Sequence, residues 1–443
     1  MLTRMKMHFS GSALLSTFPF FGAAAGRNAR APWSALLSAI VLFAATAMPQ
    51  AGFAGSVDAP YEIGTWEGFR PAAITYTFDD NLPNQYVLVV PMFHAAGFKM
   101  TLFTVINYWT SFTWSQAQTA ASYGDEIASH TVTHTSLNAV SATQLTNELV
   151  SSQTNINFRI TNQLCVTLAY PNCAVPANEA LVAQYYIAAR GCSGSLVPST
   201  PPDFMNISSY VCGSAGPIQN AIQFNSMANS AAATKSWCVY LIHAIDGDSG
   251  YSPLASTNLQ ASVDYMRTNQ DKFWVETFGN VARYIKERNA SSVTVTDSSD
   301  NRITLLVTNN LNSLNYSYPI TLRRPMPANW PAVAVSQNNQ PIDAKLVTVN
   351  TTNYVMFDVV PNGGEVVLSK TVLPFSLGNP VLSPPAGLSF QLNGQTGVTY
   401  AVHASTDLVN WLPIQSNTLV TTSTNVTVDA SNALQFYRAQ WVP

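Results

Sequence analysis

Charged side chains are scarce in this chain of 443 residues. Asp, Glu, Lys and Arg together make up 10% of it, against about 25% in an average soluble domain. The formal net charge is -3, so no basic surface favours a nucleic-acid partner. Hydrophobic residues make up 47%, enough for sizeable cores, and the polar surface is typical of a secreted protein that meets neutral polymers. At roughly 150 residues per domain, the length predicts two or three domains.

Cysteine is also scarce, and no two of the five cysteines have CxxC spacing. A zinc site built from thiolates is therefore not expected. An exported protein can form disulfides, but an odd number of cysteines leaves at least one thiol unpaired. The spacing does not define the connectivity. Cys165 with Cys173, and Cys192 with Cys212, are the pairings considered.

Only one long apolar run is present, at 34–48, and it follows Arg27 and Arg30. Its length of about 15 residues falls short of the roughly 20 that span a bilayer. We interpret residues 1–54 as a secretory leader, with a membrane anchor as the alternative. The mature chain is then expected to have no membrane span and to be secreted, periplasmic or exposed at the cell surface.

Between residues 56 and 289, short apolar runs alternate with amphipathic segments. This alternation predicts parallel strands joined by helices, and so an α/β layer or barrel. The predicted strands cover 72–78, 100–106, 126–129, 166–169, 185–189, 237–242 and 273–275. The predicted helices cover 85–97, 114–123, 257–268 and 278–289, and a long one begins at Ser141, with Gln144 as its capping-box partner.

Helical periodicity stops after residue 289, and runs of alternating Val, Thr, Leu and Tyr follow. They predict a small all-β, sandwich-like module at 290–371 and, after a proline-rich seam, a second one at 372–443. The Pro-Asn-Gly-Gly sequence at 361–364 is typical of a hairpin connection. These modules contain Trp330, Trp411 and Trp441. Such tryptophans could stack on sugars, but we interpret them as core residues, which is the more common role.

Five titratable residues follow the ends of predicted strands. Asp79 and Asp80 close the first strand, His130 and His134 follow another, and His243 ends a third. Because the carboxyl ends of strands in α/β proteins line one functional face, we expect these side chains to lie together. Two imidazoles and one carboxylate are a common catalytic zinc set, and cobalt or nickel suits the same ligands. A further carboxylate and imidazole fit proton transfer, so the set predicts hydrolysis of an amide or ester.

Each of these features has a simpler explanation when taken alone. Paired aspartates at a strand end commonly cap a turn or a helix, and HxxxH is often structural. Their joint occurrence in chain order, on strand ends of one predicted domain, favours function. His94 and His403 lack this context and are interpreted as packing or surface residues.

Three motifs carry a resemblance to a known family: TFDD at 77–80, SHTVTH at 129–134 and LIH at 241–243. In order, spacing and strand placement they resemble the motifs of the polysaccharide deacetylases, carbohydrate esterase family 4. The resemblance covers about 74–289. It implies a distorted (β/α) barrel with fewer strands than the eight-stranded one.

The resemblance also implies roles for the five residues. Asp79 would be the general base and His243 the general acid. Asp80, His130 and His134 would be the metal ligands.

Three further residues match positions of the substrate pocket. The backbone N–H of Asn172, in the third motif of the family pattern (LAYPNC at 168–173), matches the family's donor to the oxyanion. Tyr170 lies in the same motif. Leu241 would line the pocket for the acetyl group.

Two departures from the family pattern stand out. The third motif normally supplies an arginine that orients the catalytic carboxylate, but LAYPNC has Ala169 at that position, so another group must hold Asp79. No clear copy of the fourth motif is present, an aspartate and a tryptophan that orient the acid histidine. The nearest candidates are Asp203 or Glu276 for the acid and Trp274 for the aromatic.

The sequence therefore favours a metal-dependent hydrolase that removes N-acetyl or O-acetyl groups from an extracellular polysaccharide, with zinc as the expected metal. One alternative is a non-catalytic glycan-binding or cell-surface protein that keeps the barrel as a scaffold. The other is an amidase that acts on a non-sugar substrate. Neither the polysaccharide nor the oligomeric state is defined by the sequence.

Overall fold

The computed structural model describes residues 55–383, 387–429 and 435–442, without the side chains of Ser111, Phe112 and Ser383. The predicted leader and two prolines of the seam, Pro384 and Pro385, lie outside the described residues.

A parallel sheet forms the centre of the first part of the chain. The strands there are β1 (Glu62–Ile63), β2 (Ala72–Asp79), β3 (Thr101–Thr104), β4 (Glu126–Ser129), β5 (Thr167–Ala169), β6 (Ala188–Arg190), β7 (Tyr210–Val211), β8 (Trp237–Ile242) and β9 (Phe273–Val275). The helices are α1 (Val90–Ala96) after a π-helical turn (Gln85–Val89), α2 (Ser111–Ser122), α3 (Ala142–Arg159), α4 (Glu179–Val182), α5 (Ala221–Thr234), α6 (Ser256–Thr268) and α7 (Phe278–Ala290).

The strand order is β6-β5-β4-β3-β2-β8-β7, with β9 beside the start of β2, and the pairings are parallel. A parallel bridge between Arg190 and Ile207 joins β6 to the segment that leads into β7. The sheet thus curves into a distorted (β/α) barrel, and the predicted fold class is confirmed.

Side chains alternate along β2 between the helical layer and the barrel interior. Tyr76 and Phe78 point outward, and both meet Phe93 of α1 edge-on at 5.1 and 5.9 Å between ring centroids. Thr77 and Asp79 are buried on the opposite face of the strand. The alternation therefore turns the last residue of β2 into the barrel, at the carboxyl end of the sheet.

Side-chain caps begin several of the helices. Ser141 accepts the N–H of Gln144 at the start of α3, which is one of the two hydrogen bonds of the predicted capping box. Asn220 caps α5, a helix that the sequence pattern did not predict. Its sequence, AIQFNSMANSAAAT, contains few large apolar residues, so its amphipathic signal is weak.

The next part of the chain is all-β, as expected. Its strands are β10 (Ser292–Ser298), β11 (Arg302–Thr308), β12 (Ile320–Pro325), β13 (Ala332–Gln337), β14 (Gln340–Ile342), β15 (Ala344–Val349), β16 (Thr352–Val359) and β17 (Val366–Thr371). They form two antiparallel sheets, β1-β12-β16-β15 and β10-β11-β17-β13-β14. The predicted hairpin at 361–364 is wrong, because β16 and β17 belong to different sheets. The N–H of Asn362 bonds to the carbonyl of Val307 in β11 instead, so the turn carries the chain from one sheet to the other.

Six strands form the last module, in two three-stranded sheets, β18-β19-β22 and β21-β20-β23. They are β18 (Ser376–Ser383), β19 (Gly387–Asn393), β20 (Thr399–Ser405), β21 (Leu412–Thr418), β22 (Ser423–Asp429) and β23 (Phe436–Trp441). Trp441 packs against the small core between them, and the Arg438 guanidinium lies 4.4 Å from the ring centroid of Trp411. Trp330 in the preceding module is buried, with its indole N–H on the carbonyl of Asp300. These contacts agree with packing roles for the tryptophans.

The barrel and the first β module share contacts at both ends of the barrel sequence. β1, which precedes the barrel strands, pairs with β12 of the module, and Val57 bridges Val293. The Tyr284 hydroxyl of α7 donates to the carbonyl of Gly64 at 2.8 Å. One buried core runs from the barrel interior through α7 into the module. The boundaries expected at 289 and 371 remain predictions.

One disulfide joins Cys173 to Cys192, with their Cα atoms 5.7 Å apart. Both pairings considered from the sequence are therefore wrong. β5 and β6 are parallel neighbours, so the residues just after each strand meet at the same edge of the sheet. The remaining cysteines, Cys165, Cys212 and Cys238, are buried and unpaired. Within the described residues, no helix combines the length and hydropathy needed to cross a membrane.

The disulfide is expected to stabilise the fold, because it closes a loop with a sequence separation of 19. Closure of a loop of this size contributes about 3 kcal/mol. Reduction with a phosphine should lower the denaturation midpoint of the wild type and leave Cys173→Ser/Cys192→Ser unchanged. A Cys165→Ser variant, which keeps the disulfide, should remain sensitive to the reductant. An unchanged wild-type midpoint would contradict this contribution.

Stability should also depend on pH through Asp125. Burial raises the pKa of this carboxyl to about 7, above the value near 3.9 expected in the unfolded chain. The folded state therefore holds more protons between these values, and stability falls as pH rises from about 4 to 7. Asp125→Asn keeps an acceptor for the N–H of Met100 and removes the carboxyl whose ionisation lowers stability as pH rises. Its melting temperature should exceed that of the wild type by more at pH 8 than at pH 5, by at least about 2 °C. Equal differences at both pH values, as expected for the exposed control Asp271→Asn, would contradict the pKa shift.

Candidate metal centre

Asp79 and Asp80 lie where β2 leaves the sheet. Asp79 points into the barrel and its side chain is 2% exposed. Asp80 has a left-handed backbone, with φ of 75°, so its carboxylate leaves the chain in a different direction. Oδ1 of Asp80 is buried and has no hydrogen-bond partner in the part of the chain that the structure describes. A buried carboxylate oxygen without a protein donor is available to a cation.

The second histidine motif forms a tight loop after β4. Thr131 and His134 both have left-handed backbone, with φ of 69° and 60°. This conformation costs on the order of 1–3 kcal/mol for such residues. The Glu148 carboxylate of α3 holds the loop by accepting the N–H groups of Val132 and Thr133 at 2.7 and 3.0 Å. The loop is therefore fixed in a strained shape that presents both histidines to the barrel rim.

The tautomer of His130 is defined by its neighbour. Nδ1 lies 2.8 Å from the carbonyl oxygen of Ala169, which can only accept, so Nδ1 carries the hydrogen. Burial lowers the pKa of His130 to about 4, so the ring is neutral and Nε2 has a free lone pair. Burial also lowers the pKa of His134. A neutral imidazole with its second nitrogen bonded to a carbonyl is the usual state of a metal ligand.

The distances among these donors fit a single ion. Nε2 of His134 lies 3.4 Å from Oδ1 of Asp80, and Nε2 of His130 lies 3.8 Å from the same oxygen. One ligand atom from each of the three residues lies within 4.8 Å of the others. Bonds of about 2.0–2.2 Å in tetrahedral geometry place ligand atoms about 3.3–3.6 Å apart. The three residues therefore fit a divalent metal with positions left for other ligands.

Arg190 of β6 holds Asp79. Its two terminal nitrogens donate to the two carboxylate oxygens at 3.0 and 2.6 Å, and one also donates to the Thr77 hydroxyl. In the sheet, Arg190 is paired with Ala169, the position where the family's arginine was expected. The arginine that holds the carboxylate therefore comes from the neighbouring strand β6, at the position paired with Ala169.

The charge of this arginine decides the state of Asp79. Burial alone would raise the pKa of the Asp79 carboxyl, but the positive charge of Arg190, together with His130 and His243, lowers it to about 2. Asp79 is therefore ionised throughout the pH range in which proteins are usually studied. Burial and the negative charge of Asp79 act together on Asp80 and raise the pKa of that carboxyl.

His243 faces Asp79 from the end of β8. Its Nε2 lies 3.8 Å from Oδ2 of Asp79, and Gln85 fixes the two strand ends by donating to the carbonyls of both residues. Burial lowers the pKa of His243, while the charges of Asp79 and Asp80 oppose this shift. Nδ1 is buried without a hydrogen-bond partner among the described residues.

The residues considered as partners of the acid histidine lie in other contacts. Glu276 forms an ion pair with Lys99 at 3.3 Å, and Trp274 belongs to the core shared by the barrel and the β module. The Asp203 carboxylate accepts the N–H of Met205. These three assignments are corrected, and no replacement for the fourth motif is found within the described residues.

The expected pocket residues have different surroundings. Asn172 has left-handed backbone, with φ of 55°, and its side chain donates to the Ser136 hydroxyl in the histidine loop at 3.0 Å. Leu241 is buried in β8. Tyr170 is 1% exposed and its hydroxyl donates to the carbonyl of Met205. The Tyr170 side chain therefore packs in the core and does not line a pocket.

These contacts define the class of site: a candidate divalent-metal site with an adjacent carboxylate and imidazole, at the carboxyl end of a distorted barrel. Residues 68–186 match the family model described as polysaccharide deacetylase. The match confirms, for this part of the chain, the resemblance that the motifs carry.

Individual proteins resemble different portions of the chain. A gellan lyase from Bacillus sp is 27% identical over 357 residues, 74% of this chain, and the chain spans 14% of that relative's length. A domain of a multidomain xylanase from the hindgut metagenome of Trinervitermes trinervoides has 20% identity and a TM-score of 0.35, covering 47% of this chain and 88% of that one. A family 4 acetyl xylan esterase from Clostridium thermocellum has 15% identity and a TM-score of 0.33, covering 47% and 89%.

Two residues of the site were not identified from the sequence. Arg190 is the single charged residue in the apolar run YYIAARGC, and a charge in a buried strand calls for a partner. Glu148 lies on the buried face of α3, where a carboxylate also needs donors. In both cases, a charged residue at a position predicted to be buried indicates that a partner is needed, but the sequence does not identify that partner.

Removal of the arginine should destabilise the barrel, because Asp79 would remain as a buried charge without its partner. Arg190→Ala is expected to cost about 3–5 kcal/mol in the free energy of unfolding. The double variant Ala169→Arg/Arg190→Ala returns an arginine from the paired position and should be more stable than Arg190→Ala.

Urea denaturation measures both variants, with Arg267→Ala as a control. Arg267 lies in an exposed ion pair on α6, so its removal should change the free energy by less than about 0.5 kcal/mol. A change this small for Arg190→Ala would contradict the proposed anchoring of Asp79.

Proposed function

We propose that this chain removes acetyl groups from an extracellular polysaccharide by metal-dependent hydrolysis. The observation that carries the proposal is the meeting of Asp80, His130 and His134 around one point, with ionised Asp79 beside it. The family match at 68–186 supports a polysaccharide as the substrate and an amide or ester as the bond that is cleaved.

Asp80, His130 and His134 would hold the divalent metal, and we propose zinc, with cobalt or nickel able to replace it. Such an ion lowers the pKa of a bound water from about 15.7 towards 7 and polarises a carbonyl group. The neutral state of His130 and the unpartnered oxygen of Asp80 prepare these residues for a cation without further rearrangement.

The remaining residues carry the proton transfers. The Asp79 carboxylate accepts a proton from the attacking water as its oxygen bonds to the acetyl carbon. The N–H of Asn172 donates to the carbonyl oxygen as negative charge develops there. In its protonated form, His243 donates to the sugar nitrogen or oxygen as the bond to the acetyl carbon breaks. Acetate and the free amine or hydroxyl are the products.

Arg190 keeps Asp79 in the orientation that this step requires. Its fork of two hydrogen bonds prevents rotation of the carboxylate. The same positive charge lowers the pKa of Asp79. The arginine therefore keeps the carboxylate oriented and ionised, but it makes Asp79 a weaker base. Arg190 is thus a positioning residue in this proposal.

The leader expected at 1–54 and the low content of charge support a role outside the cytoplasm. The gellan lyase relative supports a carbohydrate context. N-acetyl and O-acetyl groups suit the same chemistry, so the shape of the groove decides between them. The non-catalytic alternative and the amidase alternative make different predictions from this one.

Acetate release is the direct test. The purified protein should contain close to one equivalent of zinc or cobalt after loading and release acetate from N-acetylated chito-oligosaccharide or acetylated xylan. Asp80→Asn and His134→Ala should lose the metal and at least about a hundredfold in kcat/KM. Asp79→Asn should keep the metal and lose about 10²–10⁴-fold. Metal content measured by atomic emission gives a readout that does not depend on turnover.

His94→Ala is the matched control, since His94 is an exposed histidine that stacks on Tyr123 away from the three ligands. It should keep both metal and activity. A protein that binds no metal and releases no acetate would favour the non-catalytic alternative. Hydrolysis of simple amides together with inactivity on every acetylated sugar would favour the amidase.

A further inference from the structure

The disulfide lies at the same edge of the sheet as the candidate metal centre. Cys173 directly follows Asn172, whose backbone N–H is the proposed donor to the oxyanion. Cys192 lies two residues beyond Arg190, which holds Asp79. The covalent bond therefore joins the turn at 170–174, here called the oxyanion turn, to the end of the strand that positions the proposed base.

The oxyanion turn has an unfavourable backbone. Asn172 and Cys173 are both left-handed, with φ of 55° and 58°. Asn tolerates this conformation better than most residues, but Cys does not. The N–H groups of Cys173 and Ala174 donate to the carbonyls of Tyr170 and Pro171 at 3.1 and 3.0 Å. The net gain from two such hydrogen bonds is similar in size to the backbone cost, so contacts with the rest of the protein decide whether the turn keeps its shape.

The side chain of Asn172 provides one such contact. Its amide donates to the Ser136 hydroxyl at 3.0 Å, but the bond is exposed, so water competes for both groups. The disulfide provides the other contact, and water cannot replace it. The shape of the oxyanion turn therefore depends mainly on the covalent bond.

The opposite end of the disulfide is anchored in the barrel. Gly191, the residue before Cys192, is buried. Its N–H donates to the carbonyl of Ile207 at 2.8 Å, and its carbonyl accepts the Ser209 hydroxyl at 2.7 Å. The bond thus connects an exposed turn to a fixed strand end, and the position of the turn follows that of the strand.

We propose that the Cys173–Cys192 disulfide is a positioning group for the reaction, because it holds the oxyanion turn in the shape that aims the Asn172 N–H at the acetyl carbonyl. A donor to an oxyanion is effective when its position is fixed before charge develops. Without the bond, the turn adopts other backbone conformations and the donor leaves its place. This inference rests on the proposed function for the identity of the group that the N–H meets.

The disulfide is open to chemical reduction, because Cys173 is exposed and Cys192 is half-buried. A phosphine attacks one sulfur and breaks the S–S bond, and water then converts it to the phosphine oxide. The two electrons and two protons appear as two cysteine thiols. Reduction therefore releases the turn without any change in sequence, and Cys173→Ser/Cys192→Ser releases it without a reductant.

The test compares these two forms with the oxidised wild type, as zinc-loaded full chains under conditions where circular dichroism shows all three to be folded. Acetate release from N-acetylated chito-oligosaccharide or acetylated xylan should show kcat at least about tenfold lower in both forms. KM should stay within about twofold and the zinc content should not change, since the N–H acts in the transition state. Reoxidation should restore kcat in the wild type.

Hydrogen exchange of the backbone amides, measured by mass spectrometry, follows the turn without any turnover. Exchange in the peptide 168–176 should become at least about tenfold faster on reduction. Exchange in the β8 peptide 237–242 should not change. The same comparison applies to the double serine variant.

Two variants separate positioning from a general loss of stability. Leu259→Ala removes a buried side chain of α6 and destabilises the barrel while keeping the disulfide, so its kcat should equal that of the wild type. Cys165→Ser also keeps the disulfide, and its kcat should fall on reduction as the wild-type value does.

The outcomes distinguish this inference from the proposed function. Unchanged kcat in the reduced, folded protein overturns the inference and leaves the deacetylase. A loss of kcat that Leu259→Ala shares, or one without faster exchange at 168–176, also overturns it. If the oxidised protein releases no acetate, the proposed function is contradicted, and the exchange measurement then decides alone whether the disulfide holds the turn.

Discussion

Two hydrogen bonds between the Arg190 guanidinium and the Asp79 carboxylate organise the candidate site. Both groups are buried inside the barrel, where the guanidinium also lies 5.0 Å from the ring centroid of Phe103. A buried pair offsets its desolvation only when its geometry is good, so this fork leaves Asp79 one orientation. Asp80, the candidate metal ligand, is the next residue, and its left-handed backbone turns its carboxylate away from that of Asp79.

Parallel strands explain how much of the site could be predicted. The runs at 126–129, 237–242 and 273–275 form strands with the predicted bounds, because each is a buried apolar run between clear breaks. Residues that follow such runs reach one edge of the sheet. Asp80, His130 and His134 therefore came together as the strand ends required, and their role as metal ligands remains a proposal.

Features that depend on pairing between distant segments could not be predicted. Arg190 reaches Asp79 across 111 residues of sequence, and the link becomes visible only once β5 and β6 are in register. The Cys173–Cys192 disulfide depends on the same register. The turn at 361–364 had the chemistry of a hairpin, but turn chemistry does not determine which sheet receives the next strand.

The strand β1 comes before the barrel and pairs with β12, which comes after it. The chain thus encloses the barrel between two segments of one antiparallel sheet. Gene fusion moves contiguous pieces of sequence, and a piece cut at the end of α7 would leave β1 without its neighbour and open the core that α7 shares with the module. The barrel and this module would therefore be inherited together as one cassette, while the last module, with its own core, could be exchanged.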